Sequence, residues 1–219
     1  MHGYQLLASP TLYSGQTVVA GVEADATNKE TVTGCLYLQR YGADNALVTV
    51  QGPEVELAPR SRHELAWSIP GTGGQPIAAI GLALRSLRPT DGTVYLDYLT
   101  WQGAPDVVLG QPEDGGLMWR RAWVDAVDQW EPWYKDAYRL IKNHGTGLLM
   151  QGTRDWVDYR VTATITPYLA KALGIAARVQ GLRRYYATLI ASWRSSPDPV
   201  SLRLRDSSEQ ERGDDRRAH

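Results

Sequence analysis

The sequence predicts an all-β protein: two antiparallel β-sandwich (jelly-roll) domains, the second incomplete, followed by a disordered charged tail. Three observations carry that prediction. Short runs of alternating apolar side chains, separated by turn residues, recur through residues 1–101. A second set of such runs fills residues 157–190. No stretch of the first hundred residues carries a convincing helical period. The expected organisation is a jelly roll over 1–104, a linker over 105–116, a partial sandwich over 117–193 and a disordered tail over 194–219.

Composition sets the outer bounds. At roughly 150 residues per domain, a chain of 219 residues accommodates one large or two small domains. The 23 basic and 24 acidic side chains leave a net charge of −1, which gives no global electrostatic hold on nucleic acid or an anionic membrane. A single cysteine, Cys35, excludes an internal disulfide framework and a thiolate zinc cluster. No run approaches the roughly 18 consecutive apolar residues of a membrane helix. The start of the chain lacks a basic segment followed by an apolar one, so no secretory signal is expected and localisation leans cytoplasmic.

Taken in order, the first strand lies between Gln16 and Asp25, with Val18, Ala20, Val22 and Ala24 on one face and Thr17, Val19, Gly21 and Glu23 on the other. Cys35 to Tyr41 is the second, closed by the turn residues Gly42, Asp44 and Asn45. Ala46 to Val50 follows, interrupted by Gly52-Pro53. Val55–Leu57 and His63–Ile69 flank Ala58-Pro59-Arg60-Ser61, read as a hairpin connection. Ile77–Leu84 is almost wholly apolar, the signature of a central strand, and Thr93–Trp101 ends the domain. These make about eight strands in about 100 residues, a sandwich count. Residues 103–116, rich in glycine and proline, mark the boundary.

The second half opens ambiguously. Trp119, Trp123, Val127 and Trp130 recur at helical spacing, but Trp119, Arg121, Trp123 and Asp125 also alternate, and Pro132 forbids one long helix. Val157 to Ile165 alternates cleanly and stops at Pro167. Ile175–Gln180 and Arg184–Ile190, joined at Gly181, read as a hairpin. Residues 194–219 carry twelve charged side chains against three sizeable apolar ones, Val200, Leu202 and Leu204, too few to offset the entropy of ordering.

Few constellations suggest catalysis, and no catalytic residue is assigned. Asp125/Asp128 and Asp155/Asp158 are the only weighed carboxylate pairs for glycoside hydrolysis, and both read as solvated. The histidines, His2, His63, His144 and His219, show no paired metal spacing, and Gly71-Thr72-Gly73-Gly74 opens no helix that would cradle a phosphate. Aromatic side chains are the better signal. A flat ring covers the C–H face of a sugar, while charged and amide side chains bond its hydroxyls. Trp130 and Trp133, flanking Glu131-Pro132 in an expected loop, Tyr134 of the same aromatic cluster, Arg160, Arg178 and Gln180 on polar strand faces, and Tyr186 are the candidate ligand-binding residues.

Two stretches resemble known families. Gly92-Thr93-Val94-Tyr95-Leu96-Asp97-Tyr98-Leu99-Thr100-Trp101 resembles the last strand of galactose-binding-like jelly rolls. Gln151 to Val161, with Gly174–Gly181 and Arg184-Tyr185-Tyr186, resembles the first half of a concanavalin-A-like (laminin-G-like) sandwich. In tandem, over about residues 3–190, they resemble the C-terminal accessory region of bacterial ADP-ribosylglycohydrolase-family proteins. The helical catalytic domain of that family, with its acidic magnesium ligands, has no counterpart, and the second sandwich ends early, as in a truncated copy. The resemblance implies a non-catalytic accessory fragment binding carbohydrate or an ADP-ribose-like glycan, partnered by a separate or upstream catalytic domain. Nucleic acid and membrane are not expected partners. The alternatives are hydrolase membership without the chemistry, and a purely structural domain packing against a parent enzyme. No cofactor is expected beyond a structural calcium, for which Glu23 and Asp97 are the nameable ligands of the six to eight needed.

Overall fold

A computed structural model of the chain describes residues 11–134, 137–191 and 199–205. The protein is all-β, with several antiparallel sheets. It divides into two compact units: Met1–Asp125 with Pro132–Ala137 and Leu149–Gln151, and Ala126–Glu131 with Tyr138–Leu148 and Gly152–His219.

The first unit is sandwich-like. Its strands are β1 (Thr17–Ala24), β2 (Val32–Tyr41), β3 (Leu47–Leu57), β4 (Arg62–Ser68), β5 (Ile77–Arg85) and β6 (Val94–Gln102). They form two three-stranded sheets, ordered β4-β1-β6 and β3-β2-β5. Period-two patterning turns Val18, Ala20, Val22 and Ala24 of β1, Leu36 and Leu38 of β2, and Leu65 and Trp67 of β4 into one core. Fully burying an aliphatic side chain of this kind stabilises by about 1.5–3 kcal/mol, and Val18, Val22, Leu38 and Leu57 retain no exposed surface.

Three sequence expectations fail here. The Ala58–Ser61 turn is not a hairpin, because β3 and β4 belong to different sheets and the chain crosses the sandwich there. Arg60 adopts φ 65° and the Ser61 N–H bonds the Ala58 carbonyl at 3.0 Å, turn chemistry that serves an arch as well as a hairpin. Gly52-Pro53 does not break the strand. The pairing shifts between Cys35↔Glu54 and Tyr37↔Gln51, so one extra residue bulges on β3, and β3 is an edge strand where a missing N–H is tolerated. β5, for all its apolar content, also lies at a sheet edge among the described residues.

The stretch expected as a linker, 105–116, is bound into the first unit. The Asp106 N–H donates to the Ser14 carbonyl at 2.9 Å, and the Gln75 side-chain amide donates to the Gly115 carbonyl at 2.8 Å. Asp114 pairs with Arg40 at 3.0 Å, a guanidinium contact that holds its carboxyl below the usual range. Gly115 and Gly116, at φ 78° and 82°, make the reversal that lets the chain fold back. A Gly/Pro-rich composition does not separate such an ordered loop from a linker. Beyond it a short 3-10 helix, Met118–Ala122, seats Trp119 at 1% exposure, so the helical spacing of the tryptophans yields one turn only. β7 (Val124–Asp125) pairs with β10 (Leu149–Met150), and β8 (Gln129–Tyr134) pairs with β9 (Ala137–Ile141).

The second unit contains β11 (Arg160–Ile165), β12 (Ala172–Gly181), β13 (Arg184–Ala191) and β14 (Val200–Arg205). The β12–β13 hairpin matches the sequence expectation. Residues 157–159 do not extend β11, because Asp158 adopts φ 54° and interrupts the alternation. The expected disordered tail contains an ordered strand: Val200–Arg205 pairs antiparallel with β11, setting Leu202 against Ala163 and Leu204 against Val161. Val200, Leu202 and Leu204 are few but strictly alternate, which is enough for one face of a strand. The rest of that segment, 194–198 and 206–219, lies outside the described residues.

Candidate functional site

The outer face of the β4-β1-β6 sheet gathers polar and aromatic side chains around one glycine. β6 pairs with β1 as Tyr95↔Glu23 and Leu96↔Val22, then shifts to Tyr98↔Gly21. That bulge switches the parity of β6. Simple alternation puts Tyr98 on the face opposite Tyr95 and Asp97, but the extra residue brings all three to the outer face. The Tyr98 hydroxyl donates to Glu64 on β4 at 2.6 Å, so its side chain spans the intervening strand β1. It crosses at Gly21, where a Cβ would lie 2.5 Å from the ring. The ring therefore lies flat on the sheet over the one residue that leaves room for it.

The rest of the face is an ordered polar rim. Tyr95 donates its hydroxyl to Asp25 at 3.0 Å, and Asp25 also accepts from the Thr27 hydroxyl at 2.6 Å and backbone N–H at 2.7 Å. The two Thr27 bonds, with the Tyr95 bond behind them, hold the Asp25 carboxyl below its ordinary range. Arg62 pairs with Glu23 and lies 3.7 Å from Asp97, and these contacts raise its already high pKa. Hydrogen bonding to Glu64 and to Asp25 raises the phenol pKa values of Tyr98 and Tyr95, so both remain protonated donors. The side chains are pinned at their tips while the rings stay about half exposed, at 43% and 49%. Such a surface can stack against the C–H face of a sugar and bond its hydroxyls from the rim.

Glu23 and Asp97, the expected calcium ligands, do come together, but around the Arg62 guanidinium. Two carboxylates already bridged by a cation do not suit an ion needing six to eight oxygens. Among the described residues no group of three or more His, Cys, Asp or Glu side chains could hold a metal.

Of the ligand-binding set expected in the second half, the structure buries one member and exposes others. Trp130 is buried at 9% exposure and meets Tyr138 edge-on, with ring centroids 5.7 Å apart, so its face is not open to a sugar. The side chains of Trp133 and Tyr134 lie outside the described residues. Arg178 and Gln180 sit in the irregular stretch of β12 between Ala177↔Tyr186 and Gly181↔Arg184. Arg178 adopts φ 48°, and its N–H donates to the Tyr159 hydroxyl at 2.8 Å. Arg160 is exposed and faces Arg205 across the β11–β14 ladder, and Tyr186 is 61% exposed opposite Ala177. Of the weighed acids, Asp128 accepts from Lys142 at 2.6 Å and from the Asn143 N–H at 2.8 Å, contacts that lower its pKa. Asp155 accepts from the Thr153 hydroxyl at 3.0 Å.

Nothing in the residue pattern singles out Tyr98, Tyr95, Arg62, Glu64 and Asp25 as a ligand-binding group. The one available signal was Gly21, a side-chain gap on the polar face of an otherwise regular strand. Two hollows, of about 20 Å³ beside Gln75 and about 220 Å³ beside Asn28 and Asp91, are small against the roughly 300–1,000 Å³ of ligand pockets. No protein-family model matches the chain, and no curated protein or solved structure matches it.

Proposed function

We propose that the chain is a non-catalytic glycan-binding accessory region, its first unit a galactose-binding-like jelly roll and its second a partial concanavalin-A-like sandwich. In this proposal it resembles the region that accompanies bacterial ADP-ribosylglycohydrolase-family catalytic domains and works by holding a glycan for such a domain. The observation that carries the reading is the Tyr98 ring, laid flat over Gly21 and fastened at its hydroxyl by Glu64. An exposed aromatic held in that pose loses little freedom when a sugar stacks on it, and preorganisation of this kind favours binding. The surrounding acids, Glu23, Asp25, Glu64 and Asp97, outnumber Arg62, so the face favours neutral sugars over acidic ones.

Calorimetric titration with a panel of neutral oligosaccharides tests this. At least one is expected to bind, with a tenfold or greater loss of affinity in Tyr98→Ala, a ΔΔG of about 1.4 kcal/mol or more. Affinity unchanged in that variant would refute the assignment, as would a panel with no binder.

A further inference from the structure

The outer face of the β11–β14 ladder carries only cations and hydroxyls. Arg160 stands opposite Arg205, Thr162 opposite Arg203, and Thr164 opposite Ser201. All six are exposed, while Val161, Ala163, Ile165, Leu202 and Leu204 between them are half-buried. The hydroxyls of Thr164 and Ser201 approach to 3.4 Å, which fixes both strands' polar side chains on the same side. Like charges directly opposed across a ladder repel. Among the described residues no carboxylate pairs with Arg160, Arg203 or Arg205, whereas Arg40, Arg62, Arg85 and Arg139 each hold one.

We propose that this face is a second binding site, for oxyanion esters (sulfate or phosphate) carried on a glycan chain. Arg203 and Arg205 are two residues apart on one strand, about 6.6 Å, and Arg160 stands about 5 Å across from Arg205. Each guanidinium offers a planar fork of donors matched to an oxyanion. An anion between Arg160 and Arg205 relieves their repulsion, and Thr162, Thr164 and Ser201 lie in line to bond the hydroxyls of the carrier. That the carrier is a glycan rests on the proposed function; the oxyanion does not.

The test is calorimetric titration of the full chain with dextran sulfate, uncharged dextran and single-stranded DNA. Dextran sulfate is expected to bind, weakening about tenfold when salt is raised fourfold. Arg160→Gln and Arg203→Gln should each weaken it fivefold or more, and Arg203→Lys, which keeps the charge but loses the fork, should fall between. If Arg203→Gln fails to fold, Arg160→Gln at the end of the ladder carries the test. Arg184→Gln, an equal charge change on the exposed β12–β13 hairpin, should leave affinity within twofold. An equal loss in Arg184→Gln, or no loss in Arg160→Gln, would overturn the site, and DNA bound as tightly through the same arginines would overturn the glycan carrier. Tyr98→Ala should not affect dextran sulfate. Arginine-dependent binding in a protein that takes no neutral sugar would therefore defeat the Tyr98 reading and leave this one intact.

Discussion

Gly21, Gly52 and Gly81 of the first unit each lie beneath an aromatic ring, and the consequences of filling the first two differ. At Gly21 a Cβ would meet the Tyr98 ring at 2.5 Å, and at Gly52 it would meet the Trp67 indole at 2.8 Å. Tyr98 is 43% exposed and can swing outward, whereas Trp67 is 9% exposed within the core. Gly21→Ala is therefore expected to change stability by less than about 1 kcal/mol while abolishing sugar stacking on the displaced ring. Gly52→Ala overpacks a closed site and should destabilise by about 1–3 kcal/mol. Urea melts of both variants, with titration of the first, check the contrast; a Gly21→Ala protein that binds sugar normally would show that the flat pose is irrelevant. At this scale the sequence was a poor guide to the site. Trp130 and Tyr98 are both aromatics on short strands, yet one faces the core and the other solvent. A one-residue bulge decides the matter for Tyr98, and only cross-strand pairing reveals it.

Strands with one buried face were legible, and of the connections the β12–β13 hairpin was legible while those at Ala58–Ser61 and 105–116 were not. β1, β4 and β11 announce themselves by alternation, because burial on one side enforces period two. Where the chain goes next depends on which sheet has a free edge. The arch at Ala58–Ser61 and the ordered loop over 105–116 therefore use the same residue types as a hairpin and a linker. β14 is the instructive case. Its charge content hid a strand whose Leu202 and Leu204 complete the inner face against Ala163 and Val161. Leu202→Ser should cost on the order of 1 kcal/mol, since the side chain is only half-buried. Hydrogen exchange at the β11 amides should quicken in that variant. Rates identical to those of the unchanged protein would mean that β14 contributes nothing to the sheet.

Across the whole molecule, stability is unevenly divided, and pH should expose the division. The first unit contains the continuous core around Val18, Val22, Leu38 and Leu57, whereas the buried apolar side chains of the second, among the described residues, are Trp130, Pro167, Ile175 and Ala177. Two unfolding transitions are expected, the second unit melting first. Acid weakens both units. Asp25 and Asp114 in the first and Asp128 in the second have lowered pKa values, so their contribution is present above about pH 4 and fades as the pH falls through the lowered folded values. Alkali should discriminate between the units. Burial pushes the Tyr138 phenol up to about 12 from an ordinary 10, because its anion is poorly solvated beside Trp130. The unfolded chain then loses that proton at a lower pH than the folded one. The stabilisation is complete below about pH 10 and is lost between about 10 and 12. Tyr95 and Tyr98 are also raised, but both are exposed and water screens their contribution. The urea midpoint of the first transition should therefore fall more steeply over that interval than the midpoint of the second. Tyr138→Phe, which has no proton to lose, should flatten the fall. If the variant and the unchanged protein titrate in parallel, Tyr138 is not the group that couples this unit's stability to alkali.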